Sequence, residues 1–313
     1  MQHKLLTPEE IASQAGAAIP FLRLPDRGSI FADRATRLHA LAPGHAMGGY
    51  LEFIALVAEE QQKLLDDMPP VRLPSPETIQ QCNEHAMPPL NFQTYQRDQQ
   101  WCNALRYLLR ALAERTEGKT REVVVRLEQT HDELYEAQAS KLLAGITFGL
   151  DAATAPLIGA GLQVYFTHMA IALGHAAFPR IDVATICPSC GSRPTASVAR
   201  IGAKEAGYRF LHCSLCNAEW HMVRIKCSNC ESTKGISYHV IDDGGPVDKK
   251  AVRAEVCDEC ETYLKICHMD RDPRVEAVAD DLATLPLDLL VTDTGKTSSG
   301  VNFMLIHGDP ESP

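Results

Sequence analysis

Positive charge is scarce in this 313-residue sequence. Its 30 lysines and arginines face 40 aspartates and glutamates, so the formal net charge is -10. A protein that mainly binds a nucleic-acid backbone needs clustered Lys and Arg, and the charge balance therefore argues against that class. Cysteine is also too sparse for a disulfide scaffold, because the chain has 11 cysteines and an odd number cannot all pair.

Long hydrophobic runs are rare as well. One stretch, between Asp151 and Arg180, has 28 residues without a formal charge, which is enough to cross a bilayer. It contains proline, glycine and histidine, and no cluster of Lys or Arg flanks it, so we expect a buried core helix and no membrane insertion. The first 20 residues lack the apolar segment and cleavage site of a signal peptide. We therefore expect a cytoplasmic protein whose thiols stay reduced.

Recognisable catalytic motifs are missing too. The sequence has no Gly-rich phosphate loop, no nucleophile elbow and no His-Glu-x-x-His. A Gly-Lys-Thr occurs within residues 293–297, but the first glycine of a Walker A motif is not there. We therefore expect no nucleotide site at this segment and no enzymatic activity.

The chain changes character near residue 180. Before it, apolar residues recur at helical spacing, and Pro69-Pro70 separates helices. Three such series are Tyr50, Ile54, Val57, Leu64 and Met68; Trp101, Leu105, Leu108 and Leu112; and Val124, Leu127, Leu134 and Leu142. The third series predicts one helix, with His131 on its buried face. Residues 155–178 predict a helix that is apolar nearly all round, as at the centre of a bundle.

After residue 183 the sequence changes to short β-like runs separated by Cys, Gly and Asp. Six strands are predicted, at 196–201, 208–212, 220–225, 236–241, 252–256 and 262–266. A final helix is expected over 275–290, kinked or ended by Pro286. We therefore predict an α+β protein, with an all-α domain at residues 1–180 and a small β-rich metal-binding domain at 181–313 that ends in that helix.

Eight of the cysteines form four C-x-x-C pairs in the second half of the chain. The pairs are Cys187/Cys190, Cys213/Cys216, Cys227/Cys230 and Cys257/Cys260. Two residues between cysteines let both sulfurs converge on one metal in a tight turn. The first two pairs are separated by 22 residues and the last two by 26, which suits the hairpins of zinc ribbons and rubredoxins. We therefore predict two tetrathiolate sites, which join the first pair to the second and the third to the fourth.

The donor set leaves the metal open. Four thiolates in a tetrahedron suit Zn²⁺ or a single iron ion, and four cysteines also serve iron–sulfur clusters. Redox dithiols of the thioredoxin type are disfavoured, because no βαβ framework is visible. A zinc domain of the DnaJ type also has four pairs with interleaved sites, but its Gly-x-Gly after each pair is absent here.

Other residues near the pairs have plainer interpretations. His212 and His221 flank the second pair, but eight thiols already fill two sites. Trp220 is expected to pack against a metal-binding turn. Cys267 is expected at the end of a strand, and the two cysteines of the first half are expected to be small core residues.

A helical first half followed by these cysteine pairs resembles a known family. Similarity is seen in the helical half at residues 20–25, and around the cysteines in the segments 187–194, 211–216, 219–230 and 255–265. On these segments the chain is similar, over nearly its whole length, to the FdhE family of formate dehydrogenase accessory proteins. The resemblance implies that all eight paired cysteines are metal ligands, and it favours rubredoxin-like iron over zinc for the two ions.

The resemblance also implies a cytoplasmic maturation factor and not a catalyst. Such a protein is expected to bind the catalytic subunit of a respiratory formate dehydrogenase before its export. Two alternatives stay open, a nucleic-acid-binding zinc ribbon and a rubredoxin-like electron carrier. Residues 181–313 hold 20 acidic and 14 basic residues, which disfavours nucleic acid, although residues 191–240 hold seven basic and three acidic ones. The sequence leaves the oligomeric state open.

Overall fold

Helices dominate the first part of the protein. The computed structural model describes residues 19–201, 207–241 and 250–305. Its helices before residue 180 are α1 (Ile30–Leu41), α2 (Gly48–Asp67), α3 (Pro76–Glu84), α4 (Gln99–Arg115), α5 (Gly118–Glu128), α6 (Asp132–Ala144) and α7 (Ala155–Leu173). Prolines separate α2 from α3 as expected, and the Ser75 side chain caps α3 by accepting from the amide of Thr78. Gly174, with φ of 71°, ends α7 before a short 3₁₀ turn.

Helix α7 forms the centre of the helical region. Its residues from Ala155 to Ala170 are all buried. A Cβ at Gly159 would lie 2.7 Å from the Cβ of Phe303, so glycine is needed there for close packing. The helix is long and apolar enough to cross a membrane, but 83% of its most apolar window is buried inside the protein. Helix α7 is therefore the buried core helix that the sequence predicts.

The third apolar series forms two helices, so the prediction of one helix is wrong. Helix α5 ends at Glu128, because the Thr130 hydroxyl and the Tyr135 hydroxyl both donate to the carbonyl of Leu127, at 2.8 and 2.7 Å. His131 is the exposed residue that precedes α6, and it is not buried on a helix face. The chain bends at a point that apolar spacing alone does not mark.

The second part of the protein is built on one sheet. Its strands are β1 (Leu22–Arg23), β2 (Pro194–Ala199), β3 (Arg209–Cys213), β4 (Glu219–Met222), β5 (Ile236–His239), β6 (Val252–Cys257), β7 (Thr262–His268) and β8 (Thr297–Ser298). The order is β1-β4-β3-β2-β7-β6-β5, with β8 beside β7. The six predicted strands are all present with shifted ends, whereas β1 and β8 were not predicted.

Two antiparallel ribbons share this sheet. The first ribbon contains β2, β3 and β4, and the second contains β5, β6 and β7. They are joined by parallel pairing of β2 with β7, in which Ser197 lies opposite Ile266 and Ala199 opposite His268. The ribbons are therefore one continuous structure, a feature that the spacing of the cysteines does not reveal.

The C-terminal helices connect the sheet to the helical region. The predicted helix is split into α8 (Ala277–Ala283) and α9 (Leu285–Thr292), with Pro286 in the first turn of α9. Arg37 of α1 forms ion pairs with Asp280 at 2.6 Å and with Asp272 at 2.8 Å. Helices and ribbons also share one hydrophobic cluster. The α+β class is confirmed, and the domain division at residue 180 stays a prediction.

Candidate metal centres

The four C-x-x-C turns share one backbone conformation. The residue after the second cysteine has a positive φ in each turn: Gly191 at 74°, Asn217 at 56°, Glu231 at 59° and Glu261 at 56°. Only glycine adopts this left-handed conformation without strain. Three of the four turns therefore hold it against a local preference, which requires compensating contacts.

Backbone amides supply part of that compensation. In three turns the amide of the first cysteine donates to the carbonyl five residues later: Cys187 to Ser192 at 2.9 Å, Cys213 to Ala218 at 2.8 Å and Cys227 to Ser232 at 2.8 Å. The amides of Leu215 and Cys216 lie 3.4 Å from Cys213 Sγ, and that of Asn229 lies 3.3 Å from Cys227 Sγ. Hydrogen bonds of this kind stabilise thiolates.

The eight paired cysteines lie in two groups of four. Centre 1 contains Cys187, Cys190, Cys213 and Cys216, and centre 2 contains Cys227, Cys230, Cys257 and Cys260. Within each centre the four sulfur atoms lie within 4.8 Å of one another. The first C-x-x-C pair lies with the second and the third lies with the fourth, as the numbers of residues between the pairs predict.

The spacing of the sulfurs fits one metal ion in each centre. The Sγ–Sγ distances are 3.6 Å for Cys187–Cys216, 3.4 Å for Cys190–Cys213, 3.7 Å for Cys227–Cys260 and 3.8 Å for Cys230–Cys257. A tetrahedron with metal–sulfur bonds of about 2.3 Å places its sulfurs about 3.8 Å apart. An iron–sulfur cluster puts several atoms between its cysteines and needs a wider spacing. The residues therefore fit a single Zn²⁺ or iron ion.

Centre 1 is enclosed by the rest of the protein. All four of its cysteines are fully buried, within the same cluster as the helices. The segment after α3 holds the first turn, because the amide of Leu90 donates to Ser189 O and the amide of Phe92 donates to Cys190 O, both at 3.0 Å. The first turn is thus fixed to the helical region by backbone hydrogen bonds.

The second turn of centre 1 is held by helix side chains. The Asn217 oxygen accepts from Arg34 of α1 at 2.7 Å, and its amide donates to the Thr167 hydroxyl of α7 at 2.8 Å. Gln163 of α7 donates to the carbonyl of Ser214, also at 2.8 Å. These groups are buried, so breaking the contacts leaves polar atoms without partners at a cost of about 1–3 kcal/mol each.

Centre 2 lies near the surface, at the end of the second ribbon. Cys230 is exposed and Cys260 is half-buried, while the other two cysteines are buried. Its contacts come from nearby residues: the Thr262 hydroxyl lies 3.1 Å from Cys260 Sγ, and Lys296 forms an ion pair with Asp258 at 2.9 Å. Access to this centre therefore does not require the core to open.

Each centre contains thiols of raised pKa and one thiol of lowered pKa when no metal is bound. Burial raises the pKa of Cys187 and Cys190 at centre 1 well above the ordinary value, and it raises that of Cys227 at centre 2 to about 12. Burial also acts to raise the pKa of Cys260, but hydrogen bonds from Thr262 and Asn229 bring it to about 6. Burial likewise acts to raise the pKa of Cys216 at centre 1, but hydrogen bonds from the other three thiols bring it well below the ordinary value. Metal ligands must be thiolates, so metal uptake at either centre displaces protons.

The other candidate residues lie away from the sulfur tetrahedra. His212 is buried, with its ring nitrogens 3.4 Å from Glu219 and 3.3 Å from Asn217. His221 is half-buried with its ring edge-on to that of Phe210. Cys267 is buried within β7. Among the described residues, none of these three belongs to a group arranged to hold a metal.

The packing predictions for Trp220 and Cys102 are confirmed, and that for Cys82 is wrong. The Trp220 indole donates to the carbonyl of Ala184 at 2.7 Å, three residues before Cys187, so it packs beside the first turn as predicted. Cys102 is a buried core residue, also as predicted. The prediction for Cys82 is wrong, because α3 lies on the surface and has no buried residue.

A cleft of about 560 Å³ lies between α1 and the sheet, beside Asn217. Glu219 lies in its wall and forms ion pairs with Arg23 at 3.4 Å and with Arg200, whose Nε donates at 3.0 Å. Burial acts to raise the pKa of Glu219, but Arg200 and His212 lower it to about 2. The polar groups deep in the cleft therefore satisfy one another.

Sequence reasoning missed the residues that fix centre 1 in place. Asparagine tolerates a left-handed backbone better than most residues, so its position directly after Cys216 was a usable signal for Asn217. Arg34 offered a weaker signal, because it and Arg37 place charges on the buried face of α1. The backbone contacts of Leu90 and Phe92 have no counterpart in the sequence pattern.

Family models for FdhE proteins match nearly all of the described chain. The model described as "FdhE, N-terminal" matches residues 19–181, "FdhE, central domain" matches 186–224, and "FdhE, C-terminal domain" matches 225–305. The chain belongs to the FdhE family. The resemblance noted on the cysteine segments is thus confirmed.

Full-length FdhE relatives are similar from end to end. A "Protein FdhE homolog" of Pseudomonas aeruginosa is 38% identical over 309 residues, covering 98% of this chain and 99% of its own. "Protein FdhE" of Salmonella enteritidis is 36% identical over 315 residues, covering 99% and 100%. The crystal structure of the FdhE protein from Pseudomonas aeruginosa matches with a TM-score of 0.86 at 38% identity, over 93% of this chain and 100% of that one.

Proposed function

We propose that this FdhE protein is a cytoplasmic maturation factor that binds the catalytic subunit of a formate dehydrogenase and has no turnover of its own. The observation that carries the proposal is the presence of two four-cysteine centres in a chain that matches FdhE proteins along its whole length. Eight cysteines that fill two tetrahedra leave no open coordination position, which a catalytic metal would need.

Each centre is proposed to hold one iron or zinc ion, with iron favoured by the family. The metal then fixes short strands and tight turns that have little core of their own. Metal analysis of protein purified without oxygen should give two ions per chain, and the absorption spectrum separates iron–thiolate from zinc. One ion or none per chain would contradict the assignment of the eight cysteines as ligands.

The proposed contact surface for the catalytic subunit lies beside centre 2. Ile225, Val223 and Tyr238 expose large apolar side chains close to this centre, with Ile225 65% exposed two residues before Cys227. Turns held by a metal present such side chains at low entropic cost to binding. At centre 1 all four cysteines are fully buried.

Deletion and pull-down experiments test the function. Deleting the gene should abolish respiratory formate oxidation without reducing transcription of the catalytic subunit. Wild-type protein should recover that subunit, and Cys257→Ser should weaken recovery, while Cys82→Ser, which lies outside both centres, should not. If the deletion strain keeps full formate dehydrogenase activity and no such subunit co-purifies, the proposal is wrong.

The exposure of Cys230 favours one second candidate, electron transfer at centre 2. A surface-accessible iron–thiolate site can exchange an electron with a docked protein, as a rubredoxin does. A reversible redox change of iron at centre 2, abolished by Cys230→Ser and preserved in Cys82→Ser, would support this role. Redox-silent or zinc-filled protein that still activates formate dehydrogenase would exclude it.

A further inference from the structure

Basic side chains converge on one face of the sheet where β2 pairs with β7, a place called here the seam. The strand register puts Arg209 of β3, Ala199 of β2 and His268 of β7 in one row. Arg209 has no exposed surface, and its guanidinium pairs with Glu255 of β6 at 2.8 Å and donates from Nη1 to the carbonyl of Lys226 at 3.0 Å, so Nε is the donor left over. The small side chains of Ser197 and Ala199 leave room for it to pass over β2.

Several nitrogen atoms at the seam have no hydrogen-bond acceptor. Within residues 19–201, 207–241 and 250–305, these are Arg209 Nε, His268 Nε2, and Arg271 Nε and Nη1. His268 is 7% exposed, so water reaches it poorly. Its other ring nitrogen lies 3.6 Å from Asp270, beyond hydrogen-bond distance. Buried donors are normally satisfied, so a cluster of unsatisfied ones requires an explanation.

Further positive charge surrounds the same imidazole. Burial lowers the pKa of His268 to about 4, with Arg271, Arg253 and Arg224 adding to the effect. The ring is therefore neutral at pH 7, while the arginines stay charged. The excess of basic residues within 191–240 includes two of these groups, Arg209 and Arg224, so part of that excess has a defined place in the fold.

We propose that the seam binds a phosphate-type oxyanion, supplied either as inorganic phosphate or as the diphosphate of a small molecule. Guanidinium groups match such oxygens in charge and geometry and bind them through two parallel hydrogen bonds. The unsatisfied nitrogens of Arg209, His268 and Arg271 supply the donors. Arg224, which is exposed, adds to the positive charge around His268 and attracts the anion.

The depth of the donors selects a small ligand over a polymer. Arg209 is fully buried and His268 nearly so, and a nucleic-acid duplex cannot bring its regularly spaced phosphates to such recessed groups. The whole chain is also acidic, which opposes extended polyanion binding. A single phosphate or diphosphate group is small enough to approach the half-buried Arg271, whose amide donates to His268 O at 3.1 Å.

Titration of the metal-loaded, full-length protein with phosphate and with pyrophosphate tests the proposal. Calorimetry should give one saturable site with a dissociation constant below about 1 mM for at least one of them. The same titration should shift the His268 ring resonances and raise their apparent pKa, because a bound anion favours imidazolium. The tighter of the two ligands identifies the source of the phosphate group.

Variants separate this site from general charge effects. Arg271→Gln should weaken binding at least tenfold, because it removes a charge-assisted hydrogen bond from a half-buried group. Arg126→Gln, which removes an exposed arginine of α5, is the matched control and should leave binding unchanged. Any one of three results overturns the proposal: no saturation up to about 10 mM of either ligand, equal losses in both variants, or tighter binding of a 20-nucleotide oligomer than of pyrophosphate.

Discussion

Centre 1 lies inside the protein, and centre 2 lies at its edge. Both have two C-x-x-C turns, and the residue after each turn has a left-handed backbone conformation. In both, the two measured Sγ–Sγ distances between turns are 3.4–3.8 Å. Around centre 1, however, all four cysteines are fully buried and their turns are hydrogen-bonded to the helical region, whereas centre 2 has one exposed and one half-buried cysteine. The C-x-x-C motif thus specifies how sulfurs converge, and the surrounding chain decides how accessible they are.

This difference predicts two kinds of stability. Opening centre 1 breaks contacts with α1, α7 and the segment after α3, so it is coupled to unfolding of the core. Opening centre 2 disturbs the end of one ribbon. Local openings of a protein span free energies from near zero up to that of global unfolding, and the two centres belong near opposite ends of this range.

The largest expected effect comes from removing one ligand at each centre. A structural metal site contributes on the order of 10 kcal/mol to the folding of a small peptide. Cys216→Ser should therefore destabilise the whole protein, because the buried centre would lose its metal. Cys230→Ser should loosen only the second ribbon and leave the helices folded. Urea unfolding together with mapping of protease fragments measures both, and equal destabilisation by the two variants would break the comparison.

Metal release should also distinguish the centres. A chelator or a mild oxidant should remove one ion per chain rapidly, from centre 2, and the second ion only on the timescale of global unfolding. The Cys230→Ser protein provides the control, since it should show the slow phase alone. Release of both ions in one phase would show that the centres are equally accessible.

The sequence predicted the centres well and their surroundings poorly. The sequential grouping of the eight cysteines followed from the spacing of pairs such as Cys187 and Cys190, because a tight turn is a local property. Their role as metal ligands stays a prediction. The parallel pairing of β2 with β7 and the contact between Arg34 and Asn217 join residues far apart in the chain. No local pattern encodes such pairings, so the difference in burial between the centres became visible only in the fold.

Asn217 provides a smaller and more selective test. Asn217→Ala keeps all four cysteines of centre 1 but removes the partners of Arg34, Thr167 and His212. The loss of hydrogen bonds to buried groups should destabilise the protein by about 3–4 kcal/mol. Glu231→Ala changes the same turn position in centre 2, where φ is also positive, and should cost less than about 1 kcal/mol. Chemical denaturation with both metals bound compares them, and similar losses would mean that the helices do not hold centre 1.

The smallest expected difference between the two centres is in how the unfolding free energy depends on pH. The folded pKa of Glu219, two residues after the left-handed position of centre 1, is about 2 against an ordinary 4.5, owing to Arg200 and His212 acting against burial. A lowered carboxylate pKa stabilises the folded state above about pH 4.5, and this contribution is lost as the pH falls toward 2. This contribution amounts to at most about 3 kcal/mol.

The difference in unfolding free energy between wild type and Glu219→Gln should therefore shrink between pH 5 and pH 3. Glu231→Gln, beside centre 2, is the control, and its difference from wild type should stay within about 0.5 kcal/mol throughout. Because each comparison is made at one pH, acid release of metal affects both proteins alike, and a Glu219→Gln difference that does not change with pH would show that this carboxylate does not stabilise the surroundings of centre 1.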